Sequence, residues 1–320
     1  MSDFQLLSSR AIIGMYYARL SADTGMAWID GVSNLFGSDQ SSETYNWIGM
    51  VPAMRQWIGA RQAKGFTGQG VTIINNHYEA SIEIAKRDVR RDKTGQVRVR
   101  MEELADRGQT HWASLLSELL INAPSATCYD GQFFFDTDHV DPGADYQTAQ
   151  SNDITVDISE LPATVHGVVT APSVEEMQQT ILRGIAAMLA FKDDRGEPMN
   201  ESARRFLVMV PVGLYLTAVA AVSELTTAAL APNLNPNLIA GMTVDVQMNA
   251  RLTWTDSFAI FRTDSPTKAF IRQTEQEIEM KAKAEGSEFE FDTDSWQFGI
   301  DGWRGVGYGD WRRAIYVTMV

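Results

Sequence analysis

Apolar residues recur at helical spacing along one stretch of this chain, which stops just before Pro124, a residue that cannot continue a helix. They are Val97, Met101, Leu104, Trp112, Leu115, Leu116, Leu119 and Leu120. The spacing predicts an amphipathic helix of roughly 25 residues, or ~37 Å, that ends at Asn122. Because Val97, Val99 and Met101 also alternate as a strand would, its start is expected between Thr94 and Met101. We expect the rest of the fold to be organised around this helix.

The residues ahead of the helix form a basic segment. Residues 67–93 are rich in Val, Ile, Thr and Tyr, which predicts an extended, projecting ribbon with a turn at Asn75 and Asn76. Residues 61–100 hold nine Lys and Arg against four acids, a charge of +5, so the remainder carries −19 to reach the net −14. Residues 123–182 contain no Lys or Arg and ten acids. This polarity predicts a subunit that binds copies of itself; the alternative is a solvated surface hairpin.

The totals limit the possible classes of protein. A chain of 320 residues is long enough for two subdomains, and a pI near 4.7 argues against a dedicated nucleic-acid binder. The single cysteine, Cys128, excludes an intramolecular disulfide and fits a reducing compartment. The N-terminus lacks the pattern of a signal peptide. The most apolar run, 206–222, contains Pro211 and predicts a buried strand and helix, so no membrane partner is expected.

Further helices and strands follow from local patterns. A helix over 2–22 is expected to bury Phe4, Leu7, Ile12, Met15 and Ala18, and residues 25–52 are expected to form an arm. Ser173 and Glu176 form a capping box ahead of a helix that ends near Phe191. The all-apolar run 206–210 predicts a central strand, with a helix over 214–229 behind it. Other strands are predicted at 133–135, 243–248, 251–254, 258–262, 269–273 and 314–319.

Few residues suggest catalysis. A dense acidic group offers hard ligands for Ca²⁺ or Mg²⁺, although it lacks the glycine and glutamate of a calcium loop and Asx turns explain the same residues. Its members are Asp136, Asp138, His139, Asp141 and Asp145. The four histidines are scattered, and neither HExxH nor GxSxG is present. The glycines of GVGYG (305–309) precede a strand, so a flexible aromatic loop is expected. We therefore predict no catalytic site, metal or cofactor.

Several segments resemble, in the same order, the major head subunit family of Mu-like bacteriophages over roughly residues 45–320. They are HYEASIEIAKRDVRRDKTGQ, CYDGQFFFDTDHVDP, FLVMVPVGLYLTAVAAV and WTDSFAIFRTDSPTKAFIRQTEQE. The resemblance implies an α+β fold, the Hong Kong 97-like phage capsid fold. It further implies an N-terminal arm over 1–60, an extended loop over 61–94 and a peripheral domain with the spine helix over 95–164. An axial domain over 165–255 and a return to the sheets over 256–320 complete the chain.

The function implied by the resemblance is structural. Copies of the chain would assemble as hexamers and pentamers into the icosahedral shell around double-stranded DNA, with scaffold, portal and decoration proteins as further partners. The protein would be part of the virion and assemble in the bacterial cytoplasm. Some members of the fold crosslink through Lys and Asn; Lys86 and Lys93 are candidates, but without an identifiable partner a non-covalent shell is predicted. Alternatives are another virion ring or tube protein, or a metal-dependent enzyme that uses the acidic group.

The basic segment is predicted to contact the acidic part of a neighbouring subunit. The cations are Lys86, Arg87, Arg90 and Arg91, and the carboxylates lie within residues 128–160, with Asp136, Asp138, Asp141 and Asp145 as candidates. Each contact would be weak alone and cooperative in a closed assembly.

Overall fold

A computed structural model describes residues 8–22, 25–45, 70–91, 95–140, 146–193, 195–228, 238–239 and 241–320. Its α-helices are α1 Ser9–Leu20, α2 Trp28–Val32, α3 Lys86–Arg91, α4 Gln96–Asn122, α5 Val174–Leu189, α6 Tyr215–Ala228 and α7 Glu288–Thr293. The strands are β1 Ser33–Gly37, β2 Ser42–Tyr45, β3 Val71–Ile74, β4 Asn76–Ala85, β5 Asp153–Val156, β6 Arg205–Val210, β7 Leu238–Ile239, β8 Met242–Met248, β9 Ser257–Arg262, β10 Phe270–Lys283, β11 Ser295–Tyr308 and β12 Ala314–Met319. Short 3-10 turns cover Val212–Leu214 and Trp311–Arg313.

The long helix α4 is the predicted one, and it joins two hydrophobic clusters. Its first half packs Val97, Met101 and Leu104 against α1 and the sheet residues Trp296 and Phe298. Its second half buries Trp112, Leu115, Leu116 and Leu120 in the main core of the molecule. A helix with one continuous apolar face can serve both clusters because that face runs its whole length.

Helix α1 lies against α4 and is shorter than predicted. Ile12 and Tyr16 are fully buried, and Gly108 of α4 lets α1 approach closely, since a Cβ there would lie 3.3 Å from the Tyr16 hydroxyl oxygen. Ala18, expected to face inward, is exposed because it lies off the Ile12 and Tyr16 face. Phe4 and Leu7 fall outside the described residues.

A four-stranded sheet in the order β1-β10-β11-β4 packs on α4. Strand β1, in the segment predicted to be an arm, pairs in parallel with β10. Strand β4 pairs antiparallel with β11 from Asn76 opposite Arg304 to Ala85 opposite Ser295. Residues 76–85 are extended as predicted, and they form an edge strand that pairs on one side with β11 of the same chain. That this ribbon reaches a neighbouring subunit stays a prediction.

Residues 86–91, predicted to be extended, form the helix α3. Lys and Arg favour helix more than the preceding Ile- and Tyr-rich stretch does, and Val89 anchors the turn by burying its side chain in the cluster beside α4. Residues 46–69 and 92–94 of the basic region lie outside the described part of the chain.

A six-stranded sheet in the order β5-β12-β9-β6-β8-β7 forms the second layer. Strand β6 lies inside it, parallel to β8 and antiparallel to β9, and residues 206–210 are buried as predicted for a central strand. Helix α5 packs on the sheet and begins with the predicted capping box of Ser173 and Glu176. The predicted strands at 243–248, 258–262 and 314–319 are confirmed as β8, β9 and β12.

Other strand predictions are wrong for identifiable reasons. Residues 133–135 make only one isolated bridge; Phe134 and Phe135 instead fill the core, stacked on Tyr308 and Tyr316 with ring centroids 4.9 and 5.2 Å apart. Residues 251–254 form no strand, because a turn closed by the Leu252 amide on the Asn249 carbonyl oxygen leads into irregular backbone.

The strand predicted at 269–273 is confirmed as the start of β10, which continues to Lys283.

The GVGYG segment lies mostly in β11 and does not form the predicted loop. Gly305 is required there, since a Cβ would lie 2.6 Å from the Ile74 carbonyl oxygen, which belongs to the backbone. A Cβ at Gly307 would lie 2.6 Å from Ile73 Cδ1, so the Ile73 side chain would have to shift. The glycines thus let β3 pack directly over β11.

Among the described helices, none combines the length and the apolar character that a membrane span requires.

Candidate inter-subunit surface

The first cation of the basic segment is paired within its own chain. The Lys86 ammonium forms an ion pair with the Glu290 carboxylate, which also accepts hydrogen bonds from the Gly286 amide at 2.7 Å and the Trp296 indole nitrogen at 3.2 Å. Lys86, followed by these hydrogen bonds, lowers the pKa of Glu290 to about 2. This pair ties the start of α3 to α7, at the end of the β10 and β11 hairpin.

The next cations face solvent. Arg87 and Arg90 are exposed on α3, and the Arg87 Nε lies 3.6 Å from an Asp88 carboxylate oxygen with both side chains mostly in water. Such an exposed pair contributes little to the stability of the subunit. Arg91 belongs to α3, but its side chain is outside the described set. Helix α3 therefore presents Arg87 and Arg90 outward while Val89 anchors it.

The predicted acidic partners divide into two groups. Asp136 accepts hydrogen bonds from the backbone amides of Thr137 at 2.7 Å and Phe133 at 3.2 Å. Burial raises its pKa, but those amides and a hydrogen bond with Asp138 outweigh burial and leave the pKa below its usual value. Asp138 is exposed, and the hydrogen bond with Asp136 raises its pKa. Asp141 and Asp145 lie outside the described residues.

His139 does not join these acids in a metal site. Its Nδ1 lies 2.6 Å from an Asp130 carboxylate oxygen, its Nε2 lies 3.1 Å from Asn152 Oδ1, and both the His139 and the Asp130 side chains are fully buried. The imidazole also stacks on Trp311, with centroids 4.0 Å apart and ring planes 8° from parallel. Sequence reasoning missed Asp130 and Asn152 as partners of His139, since no local pattern connects the three residues.

The hydrogen bonds of Asn152 fix its orientation, and that orientation shows that the Nε2 atom of His139 carries a hydrogen. Its Nδ2 donates to the carbonyl oxygens of Phe134 at 2.8 Å and Trp311 at 3.3 Å, so its Oδ1 is the atom that faces the Asp136 amide and His139. Because that oxygen can only accept, His139 Nε2 carries a hydrogen. The network thereby connects residues 128–140 to β5 and to the turn ahead of β12.

Cys128, Asp130 and His139 have potential ligand atoms within 4.8 Å of one another, but their chemistry is that of a structural network. The Cys128 thiol donates to Asp130 at 2.9 Å, and burial followed by the Asp130 charge raises the pKa of the thiol. Burial raises the pKa of Asp130, yet hydrogen bonds from His139 and Cys128 outweigh burial and hold it below its usual value. A protonated thiol and an occupied carboxylate do not form an open cation site.

Apolar side chains are exposed on the helices beside the six-stranded sheet. Val212, Leu216 and Val219, at helical spacing on the turn before α6 and on α6 itself, are 57, 78 and 39% exposed. Leu182 on α5 is 37% exposed. Phe291, on α7 beside the four-stranded sheet, is 90% exposed. Surfaces of this kind mark sites of contact with other proteins more often than isolated apolar residues do.

Comparisons with known proteins agree with these features. Residues 15–162 match the family model of the Mu-like prophage major head subunit gpT. The Mu-like prophage FluMu major head subunit of Haemophilus influenzae is 32% identical over 108 residues, which are 34% of this chain and 35% of that protein. The major capsid protein of Escherichia phage Mu is 30% identical over 108 residues, with the same coverage. The matched region thus spans about a third of the length of these relatives.

Solved structures share the fold over most of the chain. The procapsid of bacteriophage JBD30 is similar with a TM-score of 0.56 and 20% identity, covering 96% of this chain and 72% of that one. The capsid of the cyanophage P-SCSP1u has a TM-score of 0.56 at 12% identity over 90% and 86%. A virus-like particle from Pyrococcus furiosus has a TM-score of 0.51 at 9% identity over 96% and 98%.

These likenesses confirm the predicted α+β capsid fold of the Hong Kong 97 type, and the match over 15–162 confirms the resemblance from the residues. Residues 15–162, a little under half of the chain, thus match the Mu-like prophage major head subunit family, and the chain shares the fold of phage capsid proteins.

Proposed function

We propose that this chain is the major capsid subunit of a tailed bacteriophage and assembles with its own copies, as hexamers and pentamers, into the icosahedral shell around the double-stranded DNA genome. The observation that carries the proposal is the likeness of 96% of the chain to a phage procapsid subunit. In this proposal residues 95–164, with α4, form the peripheral domain, and residues 165–255, with α5, β6 and α6, form the axial domain around capsomer centres. The subunit works by geometry and has no substrate.

The exposed apolar residues support self-association. A monomer in water gains nothing from Leu216 at 78% exposure or Phe291 at 90% exposure, whereas a neighbouring copy can cover both. Contacts repeated around closed rings add up cooperatively, so each can be weak.

The charged contact stays part of the proposal in a narrower form. Because Lys86 is paired with Glu290, Arg87 and Arg90 are the described cations best placed to reach a neighbour, with Arg91 as a third candidate. Asp138 is the exposed described carboxylate of the predicted acidic set, and Asp141 and Asp145 complete that set. A structure of the shell would refute this contact if it placed these arginines more than about 8 Å from every carboxylate of a neighbouring subunit. That distance is near one Debye length.

The charged contact is tested with a charge exchange. Arg87→Glu with Arg90→Glu should abolish particle formation, and a further Asp138→Arg substitution should restore part of it if these side chains meet. Arg183→Glu on α5 is the matched control, since it reverses one exposed cation outside the basic segment. Wild-type assembly by the double variant would remove the contact from the proposal and leave the capsid function in place.

Further partners follow from the same proposal. Scaffold, portal and decoration proteins would contact the shell, which would assemble in the host cytoplasm and become part of the virion. With a net charge of −14, the wall would contain DNA without sequence-specific binding.

The function itself is tested by sedimentation velocity of the purified protein. Closed shells give one narrow, fast-sedimenting species, whereas a protein that works as a ring or tube gives smaller or polydisperse species. A stoichiometric metal that is lost in Asp138→Ala, together with a monomeric protein, would instead favour a metal-dependent enzyme.

A further inference from the structure

A cavity of about 300 Å³ lies between α4 and the four-stranded sheet, apart from the charged surface described above. Its walls come from β4, α4, β10 and β11, and include Tyr78, Gly108, His111, Ile278, Ile300 and Arg304. Arg107 and Arg251, both exposed, also line it. The lining therefore combines apolar side chains with one buried arginine and two exposed arginines.

Arg304 is the unusual group in this cavity. Its side chain is 7% exposed and stacks on Trp112, with the guanidinium carbon 4.4 Å from the ring centroid. Nη2 donates to Glu277 at 3.1 Å, but within the described residues Nε and Nη1 are buried without a hydrogen-bond partner. Buried donors without acceptors are rare because desolvation is not compensated, so a ligand or ordered water is expected at this position.

A second buried donor without a partner lies beside the cavity. The Tyr16 hydroxyl group has no hydrogen-bond partner among the described residues, and it packs next to Gly108, which lines the cavity. Burial, followed by the hydroxyl of Tyr17, raises the pKa of Tyr16 to about 12, so its hydroxyl stays protonated and can donate. An arginine in the lining and a tyrosine packed behind Gly108 thus both have a buried donor without a partner among the described residues.

The charge balance of the lining favours a singly charged anion. Three arginines face two carboxylates, Glu79 and Asp301. Asp301 is already paired with Lys281 at 2.7 Å, and Glu79 accepts a hydrogen bond from Ser81 at 3.0 Å. Burial and then the charges of Arg304 and Arg251 lower the pKa of His111 to about 4, so this histidine is neutral at pH 7. Glu277 also offsets Arg304, so when these partners are counted with the lining one net positive charge remains at the cavity.

We propose that this cavity binds a carboxylate group carried on a small apolar body, with the carboxylate at Arg304 and Tyr16 and the apolar part against Ile278, Ile300 and the Tyr78 ring. The ligand is a free monocarboxylic acid or an Asp or Glu side chain inserted by another copy of this chain. Phosphate suits the cavity less well because it carries more charge and cannot use the apolar walls.

Binding is tested by calorimetric titration of dissociated subunits with butyrate, butyramide and inorganic phosphate. Butyrate should bind once per chain, and neutral butyramide and phosphate should each bind at least about tenfold more weakly. Carbon-13 labelling of the four histidines should show one ring, His111, whose pKa rises from about 4 when butyrate binds. The rise follows because the anion stabilises the imidazolium form.

Substitutions of the exposed Arg251 and of the buried Tyr16 and Arg304 separate an effect on binding from an effect on folding. Arg251→Gln and Tyr16→Phe should each weaken the binding of butyrate about tenfold, and Arg304→Lys should weaken it more. The control Arg183→Gln removes an exposed cation elsewhere and should leave butyrate binding unchanged. Arg251 is exposed, so its variant reports on binding even if Arg304→Lys fails to fold.

Assembled particles distinguish the two sources of the carboxylate. If the ligand is a free acid, particles and subunits bind butyrate equally in equilibrium dialysis. If a neighbouring copy supplies it, subunits bind butyrate and particles do not. The proposal would be overturned if subunits did not bind butyrate, if they bound butyramide equally well, or if the pKa of His111 did not change when butyrate was added. The cavity would then hold ordered water only.

Discussion

The ammonium group of Lys86 is ion-paired with the carboxylate of Glu290, 204 positions further along the same chain. The pair fastens α3 to α7 and so withdraws one cation from the basic segment that was predicted to hold neighbouring subunits. Arg87 and Arg90, which follow on the exposed side of α3, are the exposed described members of the predicted set of contact cations. A segment that looks uniformly basic in sequence therefore has an internal and an external part.

Replacing Lys86 by Met should release Glu290. Because Lys86 is the main reason that the pKa of Glu290 is about 2, we expect that pKa to rise towards the usual ~4.3 in Lys86→Met. Carbon-detected NMR titration of the Glu side chains in dissociated subunits measures it. Arg87→Met is the control and should leave the value unchanged; an equal rise in both variants would contradict the pairing.

The lowered pKa also sets a pH dependence. A carboxylate whose folded pKa is depressed stabilises the fold above its unfolded pKa, and that contribution is lost as the pH falls through the folded value. For Glu290 the window runs from about pH 4.3 down to about pH 2. Acid unfolding of the wild type and Lys86→Met should accordingly converge towards pH 2 and differ most above pH 5.

His139→Leu should be among the most destabilising substitutions in residues 128–140. It leaves the buried Asp130 carboxylate without its 2.6 Å partner and Asn152 Oδ1 without one of its two donors. We expect a loss of about 3 kcal/mol in the free energy of unfolding, measured by urea denaturation of dissociated subunits. The exposed Asp138→Asn in the same segment should cost less than about 0.5 kcal/mol. Similar values for both would show that the network contributes nothing.

Two glycine substitutions should act in opposite directions. Gly305→Ala places a Cβ 2.6 Å from the Ile74 carbonyl oxygen, so β3 must move away and we expect a loss of about 2 kcal/mol or more. Gly14→Ala in α1 meets no heavy atom within 4 Å and should stabilise the fold by about 0.5–1 kcal/mol through helix propensity. Thermal unfolding of both variants checks this; a neutral Gly305→Ala would mean that β3 does not pack on β11.

Ser173→Ala should weaken the start of α5. The Ser173 hydroxyl accepts from the Glu176 amide at 3.2 Å, while the Glu176 carboxylate accepts from the Ser173 amide at 2.7 Å. Losing the first bond should cost about 1 kcal/mol in chemical denaturation. Ser173→Asp preserves an N-cap acceptor and should stay near wild type, so an equal loss in both variants would argue against capping as the cause.

Features encoded by neighbouring residues could be predicted from sequence. The periodicity of α4, the Ser173 capping box and the apolar run of β6 each depend on residues a few positions apart, and the structure confirms all three. What the sequence could not show depends on distant partners. The extended conformation of β4 could be predicted, but nothing near residue 80 reveals its pairing with β11, more than two hundred positions away.

The candidate surface shows the same limit. Composition located the basic segment and the acidic region. Charge alone could not show that Lys86 is ion-paired with Glu290 or that His139 is hydrogen-bonded to Asp130 and Asn152. Likewise GVGYG was interpreted as a loop because glycine signals flexibility locally, whereas here Gly305 makes room for β3. In each case the deciding contact comes from another strand or helix.

The central claim is that many copies of this chain close into a shell. Negative-stain electron microscopy of the purified protein tests it most directly. We predict closed, isometric particles of uniform diameter whose formation is lost on reversing Arg87 and Arg90. A protein that stays a single chain in every preparation, or that forms only open tubes, would contradict the account.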